Sequence, residues 1–377
     1  MFLLPSAGRP PRHSISHRLP RVSIVVPLPP GMKNPACLGA LAKLDYPEHL
    51  YEVIVAYGKS PSRQRNLAAE TATGEILFFL DDDSVVDRAL LRRNVSFYGD
   101  ASVACVGGPN IETTKDGVVG KGISAALASA FGDYRGCKRF ACRGKPRTVT
   151  EDGLILCNVS IRKELFDSIG GFPEQLYPNE ENALFSRLAR GSGSRKLMYV
   201  PEAFVRRARP TTIREFTKKI FGYGAGRLNQ TFVSPSPVCA LRLLVAFWPL
   251  YLALLPFVRT AWFQAPLGVY FLGALAMAVK VLTDTKSLRV AALTSVLIMA
   301  MHMSYSAGIL WGLAAMATGL RKDRDKYVEV VHFKRFDEPL TLSSDTEKAK
   351  ETERVDTAAT REVLVEQKAA LQATVPG

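Results

Sequence analysis

Cysteine and histidine are scarce, six and five among 377 residues. Cys37, Cys105, Cys137, Cys142, Cys157 and Cys239 form no repeated C-x-x-C pattern, and only Cys137 and Cys142 lie close together. Neither a zinc site nor a disulfide framework is expected, and the thiols read as reduced and structural. Charge is missing from two long stretches: between residues 243 and 279 only Arg259 carries any, and residues 290–319 carry none. Runs of that kind suit lipid, so an integral membrane protein is expected. The apolar start, residues 1–4, is too short for a signal-peptide core, and Arg9, Arg12, Arg18 and Arg21 follow it, so no export of the N-terminal region is expected. Acidic residues are in deficit, 35 against 49 Lys and Arg, for a net charge of +14. No recognition motif or basic-aromatic alternation accompanies that charge, and no nucleic-acid partner is expected. A basic flank before the apolar region favours the cytoplasmic face of an inner (plasma) membrane.

Four regions follow: a Pro/Arg/Ser-rich leader (1–20), an α/β domain (21–237), a transmembrane region (238–320) and a charged tail (321–377). The domain opens with a β-branched run stopped by Pro27, a helical pattern over 35–44 and a second apolar run at 51–56, a strand-helix-strand order that predicts a mostly parallel sheet. Further strands are expected at 75–80, 101–106 and 197–200, and helices at 62–73, 121–134 and 180–189. Residues 136–152, rich in Lys, Arg and Gly, read as a mobile basic loop. Membrane spans are expected at 239–258, 264–283 and 290–319. The last makes a fourth span if the chain bends at His302, Ser304, Tyr305 and Ser306. The tail alternates charges and reads as a solvated or disordered segment.

The apolar strand at 75–80 ends in Asp81, Asp82 and Asp83. In open parallel sheets ligands bind beyond the carboxyl ends of the strands. Three adjacent carboxylates repel one another unless a cation or hydrogen-bond donors neutralise them. Oxygen ligands on a short turn suit Mg²⁺ or Mn²⁺ with a diphosphate completing the coordination. The same residues suit a solvated acidic turn with Asp83 or Ser84 capping a helix. Both readings stand on the triplet alone.

The surrounding residues narrow the choice. Residues 65–83 (RNLAAETATGEILFFLDDD), 157–172 (CNVSIRKELFDSIGGF), 179–188 (NEENALFSRL), 199–203 (YVPEA) and 219–227 (KIFGYGAGR) occur in this order. This series resembles glycosyltransferase family 2, and its last segment resembles the membrane-attached, succinoglycan-type exopolysaccharide transferases. The resemblance covers about residues 20 to 232. It implies a GT-A fold, a nucleotide-sugar donor, a DxD motif and inversion at the sugar carbon. Asp81 and Asp83 would hold the metal, Mg²⁺ or Mn²⁺. Arg65, Asn66, Asp81, Asp82 and Arg227 would bind the donor, and Glu181 would be the general base. The expected activity moves a sugar to a lipid-linked saccharide in cell-surface polysaccharide biosynthesis. Two alternatives remain: a polyprenyl-phosphate sugar transferase, and a non-catalytic membrane scaffold for other assembly proteins. The scaffold reading is motivated by Glu181, where the family usually has Asp, and by the short interval from Tyr57 to Gln64. Arg206 and Arg207 read as surface residues, with phosphate binding as the alternative.

Overall fold

The computed structural model describes residues 18–33, 35–113, 117–133, 136–190, 195–235, 242–319 and 327–340. The leader up to residue 17, Cys239 and the tail beyond residue 340 lie outside them. Eleven strands run in chain order: β1 (Val22–Leu28), β2 (Tyr51–Gly58), β3 (Ile76–Leu80), β4 (Val85–Val86), β5 (Val103–Gly107), β6 (Asn110–Ile111), β7 (Arg147–Val149), β8 (Asn158–Arg162), β9 (Lys196–Tyr199), β10 (Val205–Arg206) and β11 (Val328–Lys334). The α-helices are α1 (Ala36–Leu41), α2 (Pro61–Thr71), α3 (Leu90–Val95), α4 (Val118–Leu127), α5 (Lys163–Ser168), α6 (Glu180–Arg190), α7 (Ile213–Val233), α8 (Trp248–Leu254), α9 (Ala261–Thr285) and α10 (Leu288–Ala317).

The fold is α/β around an eight-stranded sheet in the order β11-β2-β1-β3-β8-β5-β9-β7. β1 pairs in parallel with β2 and β3, and β5 with β9, whereas β11, β8 and β7 join antiparallel. The sheet is therefore mixed rather than mostly parallel. Its central strands are continuous apolar runs because both faces are covered. On one face Ile54, Ala56, Leu77 and Phe79 pack with α2 and with Phe166 and Phe172. On the other, Val53, Val55 and Phe78 meet α1 and α3. Phe79 sits 5.1 Å from the Phe172 ring and 5.4 Å from that of Phe166. Burying each such side chain contributes roughly 1.5–3 kcal/mol.

A second, three-stranded sheet, β4-β10-β6, lies beyond the end of β3. Gly108 lets the chain pass there, since a Cβ at this position would run into the Ala203 backbone.

The structure differs from the sequence reading in four places. The basic loop carries β7, which pairs antiparallel with β9, and Arg147 stacks over Tyr199. Within the expected span at 239–258, whose residues 239–241 lie outside the described ones, the chain forms a 3₁₀ turn, Leu244–Phe247, leading into the seven-residue α8. Pro249 and Pro256 confine it, because proline starts helices and clashes within them. Residues 288–317 form one unbroken helix, α10, of 30 residues, and polar residues in its middle face neighbours. His302 meets the Tyr270 hydroxyl and the Gly132 carbonyl, and Ser306 donates to the Val245 carbonyl. Among the described residues two helices, α9 and α10, are long and apolar enough to cross a membrane.

The fourth difference is in the tail. Val328–Lys334 forms the sheet edge beside β2, with Val328 opposite Gly58. Lys334 is buried and donates to the carbonyls of Glu48, Tyr51 and Arg335, with its ammonium over the Tyr51 ring. His332 approaches Glu52, which also accepts from Ser23 and Thr73.

Candidate functional site

The Asp81–Asp83 turn leaves the carboxyl end of β3, and the backbone then enters β4. β10 pairs antiparallel with β4, Val205 opposite Val86 and Arg206 opposite Val85. Continuing that register carries Arg207 to the aspartates. Its Nε donates to Asp83 Oδ1 at 2.5 Å and its Nη1 lies 2.8 Å from Asp81 Oδ2. From the other side Arg65, on α2, reaches Asp81 Oδ1 at 2.8 Å and Glu180 Oε1 at 3.1 Å. Arg65 and Glu180 are both buried. One chain of paired side chains thus runs Glu180, Arg65, Asp81, Arg207, Asp83.

The electrostatics follow from this chain. Burial pushes the Asp81 carboxyl up, but Arg207 and Arg65 outweigh it and hold the group below the usual carboxylate range. Burial and its two acidic neighbours raise Asp82, with Arg207 opposing more weakly. Glu180 is raised by burial and by Glu181, with Arg65 opposing. Lys219 and Tyr223, one turn apart on α7, line a small cavity of about 50 Å³ with Arg207. Glu181, in the first turn of α6, is less enclosed than Glu180 and lies 3.9 Å from Arg139. Arg139 also donates to Asn182 Oδ1 at 2.6 Å and to the Asp152 carbonyl at 2.6 Å. The segment read as a loop therefore sets a guanidinium beside the expected base.

Of the expected residues, the structure brings together Arg65, Asp81, Asp82, Asp83 and Glu181. Asn66 and Arg227 have other surroundings. Asn66 clamps the 170–174 turn, donating to the Phe172 carbonyl and accepting from the Phe172 amide, both at 2.9 Å. Its amide matches a backbone pair, a structural use of the side chain. Arg227 is buried between α7 and α10, where it contacts Tyr305, Gln230 and Asn179.

The two aspartates expected to hold the metal are both engaged by guanidinium groups in this structure. Both oxygens of Asp81 and one of Asp83 meet guanidinium groups. The positive charge needed at the strand end comes from Arg65 and Arg207. Arg207, read from the sequence as a surface residue, is the site's central cation. Its signal was its place just after a short strand following residues 199–203, but only the β4-β10 pairing shows where it points.

Comparisons with known proteins came out as follows. No protein-family model matches the chain. Glycosyltransferase AglE of Haloferax volcanii is 27% identical over 187 residues, 42% of this chain and 58% of that protein, so the chain spans less than two thirds of this relative's length. Among solved structures, mannosyltransferase PcManGT from Pyrobaculum calidifontis, in complex with GDP-Man and Mn²⁺, has 17% identity and a TM-score of 0.47, covering 78% of this chain and 88% of that one. Residues 1–349 of S. aureus TarS have 15% identity and a TM-score of 0.39, covering 83% of this chain and 96% of that one.

Proposed function

We propose that this chain is an inverting glycosyltransferase that moves a sugar from a nucleotide-diphosphate donor to the hydroxyl of a lipid-linked saccharide, in cell-surface polysaccharide assembly on the cytoplasmic face of the membrane. The observation that carries the reading is the Glu180-Arg65-Asp81-Arg207-Asp83 chain beyond β3, next to Glu181 on α6. The sequence similarity to AglE, a glycosyltransferase, supports it.

Each residue has a role in this reaction. As the sugar-diphosphate bond breaks, negative charge collects on the departing diphosphate. Guanidinium groups fixed in place before the reaction stabilise that charge without reorganising. Arg207 uses Nε and Nη1 on the aspartates. A guanidinium carries five N–H donors, so others are left for phosphate oxygens. Lys219 adds a further cation beside it. Asp81 and Asp83 thereby orient Arg207 and Arg65, in place of the metal-holding role that the resemblance implies. Glu181 takes the proton from the acceptor hydroxyl as its oxygen bonds to the sugar carbon from the face opposite the leaving group. The nucleoside diphosphate departs with the bonding pair, and no covalent enzyme intermediate is needed.

A general base contributes typically 10²- to 10⁴-fold. Glu181→Gln is expected to lower transfer by about that factor in an assay over a panel of nucleotide sugars and lipid extracts, with donor affinity nearly unchanged. Wild-type protein that neither binds nor consumes any donor in the panel would replace this reading with the scaffold.

A further inference from the structure

The apolar hairpin α9–α10 is not arranged as a pair of spans standing off the domain. α10 lies along the domain for most of its length. Near its start, Leu293 and Leu297 press on Gly122 of α4, where a Cβ would stand 3.3 and 3.1 Å away. Further on, His302 contacts the Gly132 carbonyl at 3.0 Å. Then Tyr305 bonds Arg227 of α7 at 3.0 Å, Gly308 and Gly224 let the α10 and α7 backbones touch, and Gly312 meets Ala225. At 1.5 Å per residue, positions 293 to 312 cover about 28 Å, close to the hydrocarbon thickness of about 30 Å.

Both underlying helices belong to the domain. α4 is tied to β6 by Arg209, which donates to Ser124 Oγ at 2.8 Å and to the Asn110 carbonyl at 2.9 Å. α7 is tied to the start of α6 by Asn179, which donates to the Tyr223 carbonyl at 3.1 Å. After α10 the chain returns to the sheet as β11. An upright α10 would draw α4 and α7 into the bilayer with it, and α7 exposes Arg214, Lys218 and Lys219. Intramembrane charge of that kind is costly.

The opposite side of the hairpin has the composition of a lipid-facing surface. α9 is almost wholly exposed despite its apolar sequence, with Trp262 75% and Leu272 67% exposed, and Trp311 of α10 is 56% exposed. Basic residues rim it: Arg259 before α9, and Lys280, Lys286 and Arg289 around the α9–α10 turn, all exposed, with Lys280 paired to Asp284 at 2.9 Å. Apolar and aromatic side chains bordered by cations match an anionic lipid surface.

We infer that the chain binds an anionic bilayer from one side, with α9 and the outer face of α10 lying in the membrane plane, so that the turn at residues 285–287 stays on the same side as the catalytic domain. This replaces the expected multi-pass arrangement and does not depend on glycosyl transfer.

The test is sidedness. In membrane vesicles carrying the full chain, a cysteine is introduced as Thr283→Cys, an exposed position near the turn. An impermeant maleimide should label it from the same face as the exposed Cys142 of the domain. Labelling from the opposite face would overturn the inference in favour of spanning helices. In a second measurement, purified full chain should sediment with phosphatidylcholine vesicles containing phosphatidylglycerol. Replacing Lys280, Lys286 and Arg289 by Gln should weaken that binding on the order of 100-fold, at about fivefold per charge. Equal binding to vesicles lacking phosphatidylglycerol, or a chain that stays off both as a self-covered oligomer, would also overturn it.

Discussion

Two arginine centres in this molecule look alike in sequence and differ in company. At the end of β3, Arg65 and Arg207 meet Asp81, Asp83 and Glu180. Between α7 and α10, Arg227 hydrogen-bonds the neutral side chains of Tyr305, Gln230 and Asn179, with Arg242 near enough to act on it electrostatically. The first centre holds opposite charges in tension at a strand end, where a phosphate can enter the balance. The second distributes one cation's donors over neutral acceptors in a packed helix seam. The partners, more than the arginine, separate a ligand site from structural glue.

The largest expected effect comes from the first centre. Arg207→Gln removes the cation proposed to meet the donor's diphosphate, and losing one partner of a buried charge pair across a binding interface typically costs about 2–5 kcal/mol of affinity. Donor affinity, measured by calorimetry, should fall on the order of 100-fold or more, with Arg207→Lys recovering part of it. Unchanged affinity would put Arg207 on the structural side of the comparison.

Arg227→Met should do the reverse. Its neighbours lose hydrogen bonds to a charged group, worth about 1.5–3 kcal/mol each. Thermal denaturation should therefore show lower stability while the surviving folded protein binds donor as before. A loss of donor affinity at full stability would restore Arg227 to the donor site.

The smallest effect is on the pH profile. Glu180, raised by burial and Glu181, holds its proton in the fold at pH values where the unfolded chain has released it. Stability should therefore rise as pH falls from neutrality toward the ordinary glutamate range. Below that range Asp81 reverses the trend: its folded value is depressed, so its ion pairs contribute fully above the ordinary aspartate range and are lost as pH falls through the folded value. Glu180→Gln should abolish the first limb and leave the second.

Legibility in the sequence followed the length of the pattern. The runs that became β1, β2 and β3 are uninterrupted and bounded by turn residues, and their positions needed no tertiary information. The Asp81–Asp83 turn and Glu181 were visible as motifs for the same reason. What escaped depends on contacts distant in sequence. β11 is a single strand of mixed charge, stabilised by its pairing with β2 and by the buried Lys334, and nothing local separates it from a solvated tail. Arg207 gains its meaning only from the two-residue ladder between β4 and β10. Asn66 sits beside Arg65 on α2, but the two side chains leave the helix in different directions, one to a backbone turn and one to the aspartates. The apolar character of 290–319 was plain, whereas its orientation is set by the glycines of α4, α7 and α10.

The account rests on guanidinium groups, rather than a bound divalent ion, neutralising the donor's diphosphate at the end of β3. The direct measurement is calorimetric titration of GDP and UDP into wild-type protein and Arg207→Gln in the presence of EDTA. The prediction is that at least one nucleotide binds the wild type with EDTA present, with affinity unchanged by added Mn²⁺, and that the variant loses this binding. Binding that appears only with Mn²⁺, and is equal in wild type and variant, would contradict it.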